Sequence, residues 1–497
     1  MSKFYITSSI MYANGSAHIG FAMELIQADV LARYHRQIAD KTWFLTGTDE
    51  HGLTVARAAA KERIEPQAYV DKISDEVLKM TKALNISNDD FIRTSDKVRH
   101  WPTTIKLWKA LVSEEDIYKK KYTGLYCVGH EAFIKKSELT DGLCPLHKTK
   151  PEEVEEENWF FKVTKYKERV AKLIENDELK IVPLSRKKEI LNLIKDAEDV
   201  SFSRPASVLK WGIPVPGDPG STQYVWTDAL ANYISALGYS ENSENYKDFW
   251  PADVHLIGKD ILRFHALYWP AMLMSAGLSL PKSIFVHGFI TVNGQKMSKT
   301  VGNVVDPFSV IGKYGADVVR YFLLREIPSD EDGDFSEERL RERYTSDLAN
   351  GLGNLVQRVA TLIDTKMDGE IIYHDKLLPD IEELNEVEDD TEINRAIENF
   401  KLHEALALIW KKIDIANAFV NEEAPWKLVD ENPEQFQKVM LALTEMVHHI
   451  AWNLQPFLPE TATKIRQVFG DTNGKEIEND FHFVIQKGAV LFPKLET

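Results

Sequence analysis

The stretch from Phe4 to Tyr34 constrains the fold more than any other part of the chain. Phe4 to Ile10 is β-branched and aromatic, suited to a buried strand. From Ile19 onward Met23, Ile26, Val30 and Tyr34 recur at three- and four-residue steps, as one face of a helix does. Between them Asn14-Gly15-Ser16 is turn chemistry, so the unit reads strand, tight loop, helix, with His18 and Gly20 where the helix opens. Trp43 to Thr48 reads as a second strand. The alternation of strand and helix to about residue 115 predicts a parallel sheet with helices on its faces. Unpaired N–H groups at a helix start carry partial positive charge and suit a phosphate. The plain alternative is an ordinary strand-to-helix turn capped by Ser16.

A second stretch decides between these. Gly294-Gln295-Lys296-Met297-Ser298-Lys299-Thr300 follows a predicted hairpin turn at Asn293-Gly294 and sets two lysines three apart around a small hydroxyl residue. Two ammonium groups on one loop can hold a leaving polyphosphate. His18-Ile19-Gly20-Phe21 and Lys296-Met297-Ser298-Lys299-Thr300 resemble the HIGH and KMSKS signatures of class I aminoacyl-tRNA synthetases. With Tyr12-Ala13-Asn14-Gly15 before the first and Gly294-Gln295 before the second, the chain resembles the methionyl-tRNA synthetases.

That resemblance implies an α/β protein: a Rossmann-type nucleotide-binding catalytic domain split over 1–115 and 221–287, a connective insertion at 116–220, a lysine-loop and stem-contact region at 288–350, and a helical anticodon-binding bundle at 351–497. It implies ATP with Mg²⁺, L-methionine, and tRNA(Met), including the initiator, as reactants and partners. His18, Lys296 and Lys299 are the expected catalytic residues, the lysines holding pyrophosphate, while Asn14, Gly20, Phe21, Glu24, Gly258 and Asp260 shape the nucleotide cleft with His18 and Lys299. Phe21 departs from the signature, which usually has a second His there; a phenyl ring can pack or stack but cannot donate a hydrogen bond.

At 497 residues the chain has room for about three domains, each with its own core. No run reaches the ~18 apolar residues of a membrane span, and the start lacks a signal or transit pattern. The expectation is a cytoplasmic protein with no membrane association. Lys plus Arg number 60 against 77 Asp plus Glu, a formal net of −17 that opposes long-range attraction to nucleic acid. The charge is blocky, with Glu152 to Glu157 and Asp380 to Asp390 acidic and Lys119 to Lys121, Lys135-Lys136 and Arg186 to Lys188 basic. A local basic track can still follow a phosphate backbone, although a single run is more often a solvated face.

Along the catalytic domain, Asp49 ends the second strand, where ligands of parallel sheets bind; it is either the partner of a substrate ammonium, as the resemblance implies, or a cap for a helix near Leu53. Tyr224 to Tyr233 reads as strand then helix. Trp226, Ala229 and Tyr233 share one side, which core packing alone would explain. The resemblance assigns them to the methionine pocket with Ile10, Tyr12, Ile261 and His265. A thioether is polarizable and only a weak acceptor, so such a pocket selects by shape, aromatic contact and one neutral donor.

The 2 cysteines lie in Cys127-Val128-Gly129-His130 and Cys144-Pro145-Leu146-His147, two pairs separated by thirteen residues. Two C-x-x-H pairs at this spacing offer zinc four tetrahedral ligands, Cys127, His130, Cys144 and His147, in a closed structural site. After the lysine loop one amphipathic helix is expected to about Arg325, with Asp317 and Arg320 as surface charges. From about 340 the apolar pattern is nearly all helical, over 347–364, 393–420, 435–455 and 459–469, with no fixed repeat. The resemblance points to Asn354, Arg358 and Trp426 as anticodon readers. The expectation is a monomer. Two alternatives remain: a class I synthetase for another aliphatic amino acid, disfavoured by the lack of an editing insertion, or a nucleic-acid-binding protein with a degenerate nucleotide fold.

Overall fold

The computed structural model describes residues 2–129, 132–145, 148–292, 294–297, 303–373, 381–470, 481–486 and 490–495. Two compact units divide the chain, Met1–Phe289 and Ile290–Thr497.

The first unit is built on a parallel sheet with the strand order Asp90–Arg93, Lys41–Asp49, Lys3–Ser8, Val254–Gly258, Ser283–His287, Lys180–Val182. Met11–Tyr12 adds a short parallel pairing with the end of Lys41–Asp49. Tyr5, Ile6, Phe44, Leu45, Leu256, Ile257, Ile284 and Phe285 are all buried, the continuous apolar runs of a sheet covered on both faces. The helix Ile19–Gln37 packs on this sheet and is buried on most of its circumference, so its apolar spacing is denser than a one-faced helix needs. The chain leaves Lys3–Ser8 toward one edge and later returns beside it as Val254–Gly258. The crevice at the carboxyl ends of these two strands is therefore a topological switch point, where parallel sheets bind ligands.

The insertion carries an antiparallel sheet in which Ile117–Cys127 pairs with Ala132–Ile134 on one side and Glu152–Phe161 on the other. Part of the basic run there has an internal use: Lys119 bonds Asp218 at 2.9 Å and sits over the Trp159 ring. Hydrogen bonding from Lys119 pulls the Asp218 carboxyl down to about 2, against the opposing effect of burial. The apolar pattern of residues 164–195 is helical, yet the stretch is interrupted by a strand. Between helices Val163–Glu175 and Leu184–Lys195, the strand Lys180–Val182 rejoins the central parallel sheet beside Ser283–Phe285. Tyr224 is likewise not a strand residue. The strand Asp218–Gln223 belongs to a small antiparallel sheet, and helix Val225–Leu230 starts directly after Tyr224.

The second unit begins with strands Ile290–Val292 and Gln295–Lys296, paired antiparallel. Gly294, between them, has a φ of 73°, a left-handed conformation that glycine adopts without steric cost. The helix expected to run to Arg325 is broken at Gly315, φ 89°, into Pro307–Tyr314 and Ala316–Glu326. Asp317 and Arg320 are not surface charges. Both are buried, the Arg320 guanidinium donating to the carbonyls of Pro456 and Phe457 and Asp317 accepting from the Thr461 N–H. They stitch this helix to the turn between Pro433–Leu454 and Pro459–Val468. Burial holds the Asp317 carboxyl above its ordinary value. The remainder is a helix bundle around Leu402–Glu423 and Pro433–Leu454, with one antiparallel strand pair, Glu370–Tyr373 and Phe481–Val484, outside the helical pattern. No helix among the described residues is long and apolar enough to cross a membrane.

Candidate active site

The carboxyl end of Lys3–Ser8 runs through Met11–Tyr12 into the loop that opens helix Ile19–Gln37. The helix cap is His18, in extended backbone at φ −136° and ψ 165°, not Ser16. Its Nδ1 accepts weakly from the Phe21 N–H at 3.4 Å. Asn14 and His18 are exposed, Gly20 is half-buried, and Phe21 turns inward at 7 % exposure with no polar atom to offer.

Glu24 shapes this crevice from within. One carboxylate oxygen accepts from the Ser9 N–H and hydroxyl, and the other from His287 Nε2 at 2.8 Å. His287 Nδ1 faces the Gly288 carbonyl at 2.7 Å, so both ring nitrogens are donors and the ring is an imidazolium. Burial disfavours that charge, but the hydrogen bond and charge of Glu24 outweigh it and raise the His287 pKa above its ordinary value. At the neighbouring strand end, a Cβ on Gly258 would come within 2.9 Å of Asp260 Oδ1, which would have to swing aside. The Asp260 side chain is exposed.

Beside the crevice lies an aromatic pocket. Ile10, Ala229 and Tyr233 are buried in one apolar cluster, with Tyr12, Trp226 and Ile261 packed against it. Trp226 stacks on Phe264 at 3.8 Å and 5°, and meets His265 edge-on at 6.1 Å. His265 Nδ1 donates to the Ile261 carbonyl at 3.0 Å, which fixes the tautomer, and Nε2 accepts from the Tyr233 hydroxyl at 2.7 Å. Burial drives the His265 pKa down to about 4, so the ring is neutral at physiological pH. Behind it His255 is also held neutral by burial, its Nδ1 2.8 Å from the Thr7 hydroxyl and its ring 4.2 Å from Tyr233.

Asp49 stands at the end of its strand, buried, with the Thr94 hydroxyl 3.4 Å away. It caps no helix: the helix starting at Leu53 has Gly52 at its cap position. The two residues after Asp49 are braced. Glu50 binds Arg93 through Nε at 2.7 Å and Nη2 at 3.1 Å, and His51 Nδ1 binds Asp228 at 2.5 Å. Asp228 also receives His100 Nε2 at 2.7 Å. Burial opposes the charge of Asp228, but the two histidines keep its carboxyl below the usual range.

In the second unit the lysine loop follows the hairpin at Gly294, whose N–H donates to Asp334 at 2.8 Å. Lys296 ends a strand there; its side chain, and Ser298 and Lys299, lie outside the described residues. On the helix bundle, Arg358 lies 5.6 Å from the ring centroid of Trp426, an indole 44 % exposed, and donates to Asn421 Oδ1 at 2.9 Å. Asn354 opens the same helix as Arg358 and is exposed.

Two family models match: tRNA synthetases class I (M) over residues 4–150 and 134–360, and the anticodon binding domain of methionyl tRNA ligase over 369–489. The chain belongs to the class I methionyl-tRNA synthetases. It is 42 % identical over 478 residues to the methionine–tRNA ligase of Brucella suis, covering 94 % of this chain and 91 % of that one. It is 41 % identical over 522 residues to the methionine–tRNA ligase of Bacillus subtilis, covering all of this chain and 78 % of that one. The Mycobacterium tuberculosis methionyl-tRNA synthetase in complex with methionyl-adenylate superposes with a TM-score of 0.93 at 37 % identity, over 99 % of this chain and 100 % of that one. Membership of this family removes the alternative of a synthetase for another aliphatic amino acid.

Several residues that organise this synthetase site were not visible in the sequence pattern. Phe264 had a signal, an aromatic directly before His265. His100, Asp228 and Arg93 had none, since their partners are far away in the chain. For zinc, Cys127 and Cys144 are both fully buried in one small cluster with Ile134, and no disulfide joins them. Cys144 accepts from the Lys148 N–H at 2.8 Å, closing a tight turn. Among the described residues no group of three His, Cys, Asp or Glu could hold a metal, and His130 and His147 lie outside them.

Proposed function

We propose that methionine is activated in the aromatic pocket at the switch point, with the nucleotide along the loop from Asn14 to Phe21. Asp49 takes the substrate ammonium. Tyr12, Trp226, Ala229, Tyr233, Ile261 and His265, with Ile10, enclose the thioether, and Asp260 beside Gly258 meets the ribose. A methionine carboxylate oxygen forms a bond to the α-phosphorus of ATP, the bond from that phosphorus to the bridging oxygen breaks, and pyrophosphate leaves. The terminal ribose hydroxyl of tRNA(Met), initiator included, then attacks the acyl carbon and AMP departs. In-line alignment and charge neutralisation carry such a reaction without a protein nucleophile. His18 and the helix start stabilise the developing charge, Lys296 and Lys299 hold the pyrophosphate, and Mg²⁺ accompanies ATP. Asn354, Arg358 and Trp426 read the anticodon, with stacking on the indole as the main contribution.

The observation that carries this reading is the neutral His265 tied between Tyr233 and the Ile261 carbonyl in an apolar aromatic pocket. A neutral imidazole beside aromatic rings suits a weakly polar thioether, whereas a charged one would not. The reading includes a structural zinc on Cys127, His130, Cys144 and His147. The two buried thiols in one cluster fit it, and four protein ligands leave no open position for water. It further includes a monomer in the cytoplasm, consistent with a net charge of −17. Pyrophosphate exchange measured with each of the twenty amino acids tests the function. Exchange with methionine alone is expected; exchange with leucine or valine, or with none, overturns it.

A further inference from the structure

The loop between Met11–Tyr12 and helix Ile19–Gln37 alternates in burial. Ala13, Gly15 and Ala17 are buried, whereas Asn14, Ser16 and His18 are exposed. Three alternate residues, all polar, are therefore exposed along a loop that bends at Ala13 to Gly15 and ends at the helix start. Two hydrogen bonds hold the hidden edge, one near each end. The Ala13 N–H donates to the Asp49 carbonyl at 2.8 Å, backbone to backbone. At the other end, the Ala17 N–H donates to Glu76 Oε1 at 2.9 Å. Glu76 comes from helix Pro66–Ala83, which also reaches the end of strand Lys41–Asp49, where the Ser74 and Thr48 hydroxyls lie 3.4 Å apart. One helix thus braces both the loop and the strand end that carries Asp49.

The electrostatics make this placement informative. A carboxylate beside a loop meant for polyphosphate repels the ligand, and it occupies an amide N–H that could have pointed at phosphate. Attraction to ATP does not account for a glutamate here; a charge-assisted hold on the backbone does. We infer that Glu76 is a positioning residue for adenylate formation: by gripping the Ala17 amide it sets the register in which Asn14, Ser16 and His18 face the nucleotide. This inference rests on the nucleotide role proposed for that loop. Small displacements of groups that touch the transition state are costly, about 100-fold for ~1 Å. The effect of releasing the loop therefore falls on kcat of the exchange reaction rather than on the methionine pocket.

The test compares Glu76→Ala, Glu76→Asp and Glu76→Gln in methionine-dependent pyrophosphate exchange, with His18→Ala as reference. Expected is a fall in kcat of roughly tenfold for Glu76→Ala, a partial release of the loop, with methionine KM unchanged. Glu76→Asp keeps the charge but falls short of the amide, and is impaired likewise. Glu76→Gln keeps an oxygen that can accept from the Ala17 N–H but loses the charge assistance, and its kcat falls between those of the wild type and Glu76→Ala. Wild-type kcat for Glu76→Ala, or for Glu76→Asp should the first variant not fold, overturns the inference. So does a Glu76→Gln enzyme as impaired as Glu76→Ala, or a methionine KM that rises as kcat falls. If His18→Ala is inactive while the Glu76 variants are normal, only the role of Glu76 fails. If His18→Ala is also normal, the nucleotide role of the loop fails with it.

Discussion

The two units hold their candidate recognition residues in opposite ways. In Met1–Phe289 the polar groups of the pocket are buried and tied to other buried groups, as with Tyr233 on His265 and His51 on Asp228. In Ile290–Thr497 the buried polar network lies elsewhere, Lys412 and His449 both binding Asp390, while Trp426 and Arg358 reach outward and touch chiefly each other and Asn421. Selecting a small thioether against other apolar side chains needs a pocket that cannot relax. Stacking on a splayed base needs a ring that a partner can approach. On the proposed function, enclosure in one unit and exposure in the other match what each recognises.

Four measurements can break or sharpen that contrast. The largest effect is expected for Asp49→Ala, since leaving a substrate ammonium without its buried partner costs about 3–5 kcal/mol. kcat/KM for methionine should drop by at least ~100-fold, with tRNA affinity unchanged. A parallel loss in tRNA affinity would show that the units are not separately responsible.

Acid comes next. His265 is depressed to about 4, so in the folded state it resists a proton that the unfolded chain accepts near 6.5. Its contribution is complete above pH ~6.5 and is lost as pH falls toward 4, on the order of 3 kcal/mol in all. Asp390 is depressed to about 2, against the opposing effect of burial, by His449 and Lys412, so its contribution in the helical unit survives until pH falls below ~4. Hydrogen exchange resolved by segment should therefore show the catalytic unit loosening first; the reverse order would contradict the assignment. His287 acts in the other direction, its stabilisation present below pH ~6.5 and lost as pH rises through its raised pKa.

Trp426→Ala removes a base-stacking surface worth about 1–3 kcal/mol and should raise the KM for tRNA roughly tenfold or more, with pyrophosphate exchange untouched. The smallest effect is expected for Tyr233→Phe, which strips His265 Nε2 of its donor at a cost of about 1 kcal/mol. Methionine KM should rise several-fold and tRNA KM should not move.

What could be read from the sequence follows from how local the cause is. The strand, loop and helix around His18 are fixed by neighbouring residues, and they form as expected over Lys3–Ser8 and Ile19–Gln37. Ile261 and His265 are one turn apart, and Trp226, Ala229 and Tyr233 follow at three- and four-residue steps over about two turns, so each set shares a side. Where tertiary partners decide, local pattern misled. Lys180–Val182 is too short to announce a sheet strand and takes its place only because Ser283–Phe285 offers an edge. Gly315 ended a helix that the apolar spacing would have continued. Asp317 and Arg320 look like surface charges by type, and only the carbonyls of the turn at Pro456-Phe457 and the Thr461 N–H make them interior ones. The His51, Asp228 and His100 cluster joins three distant segments, and no window of sequence contains it.

The bond between Glu24 and His287 spans 263 positions of the chain. During synthesis on the ribosome, the first helix emerges long before its imidazolium counterpart. Until that later strand is made, Glu24 lacks the partner that one of its carboxylate oxygens has in the folded protein. The bond between Glu24 and His287 therefore forms only once nearly all of the first unit, Met1–Phe289, has been made.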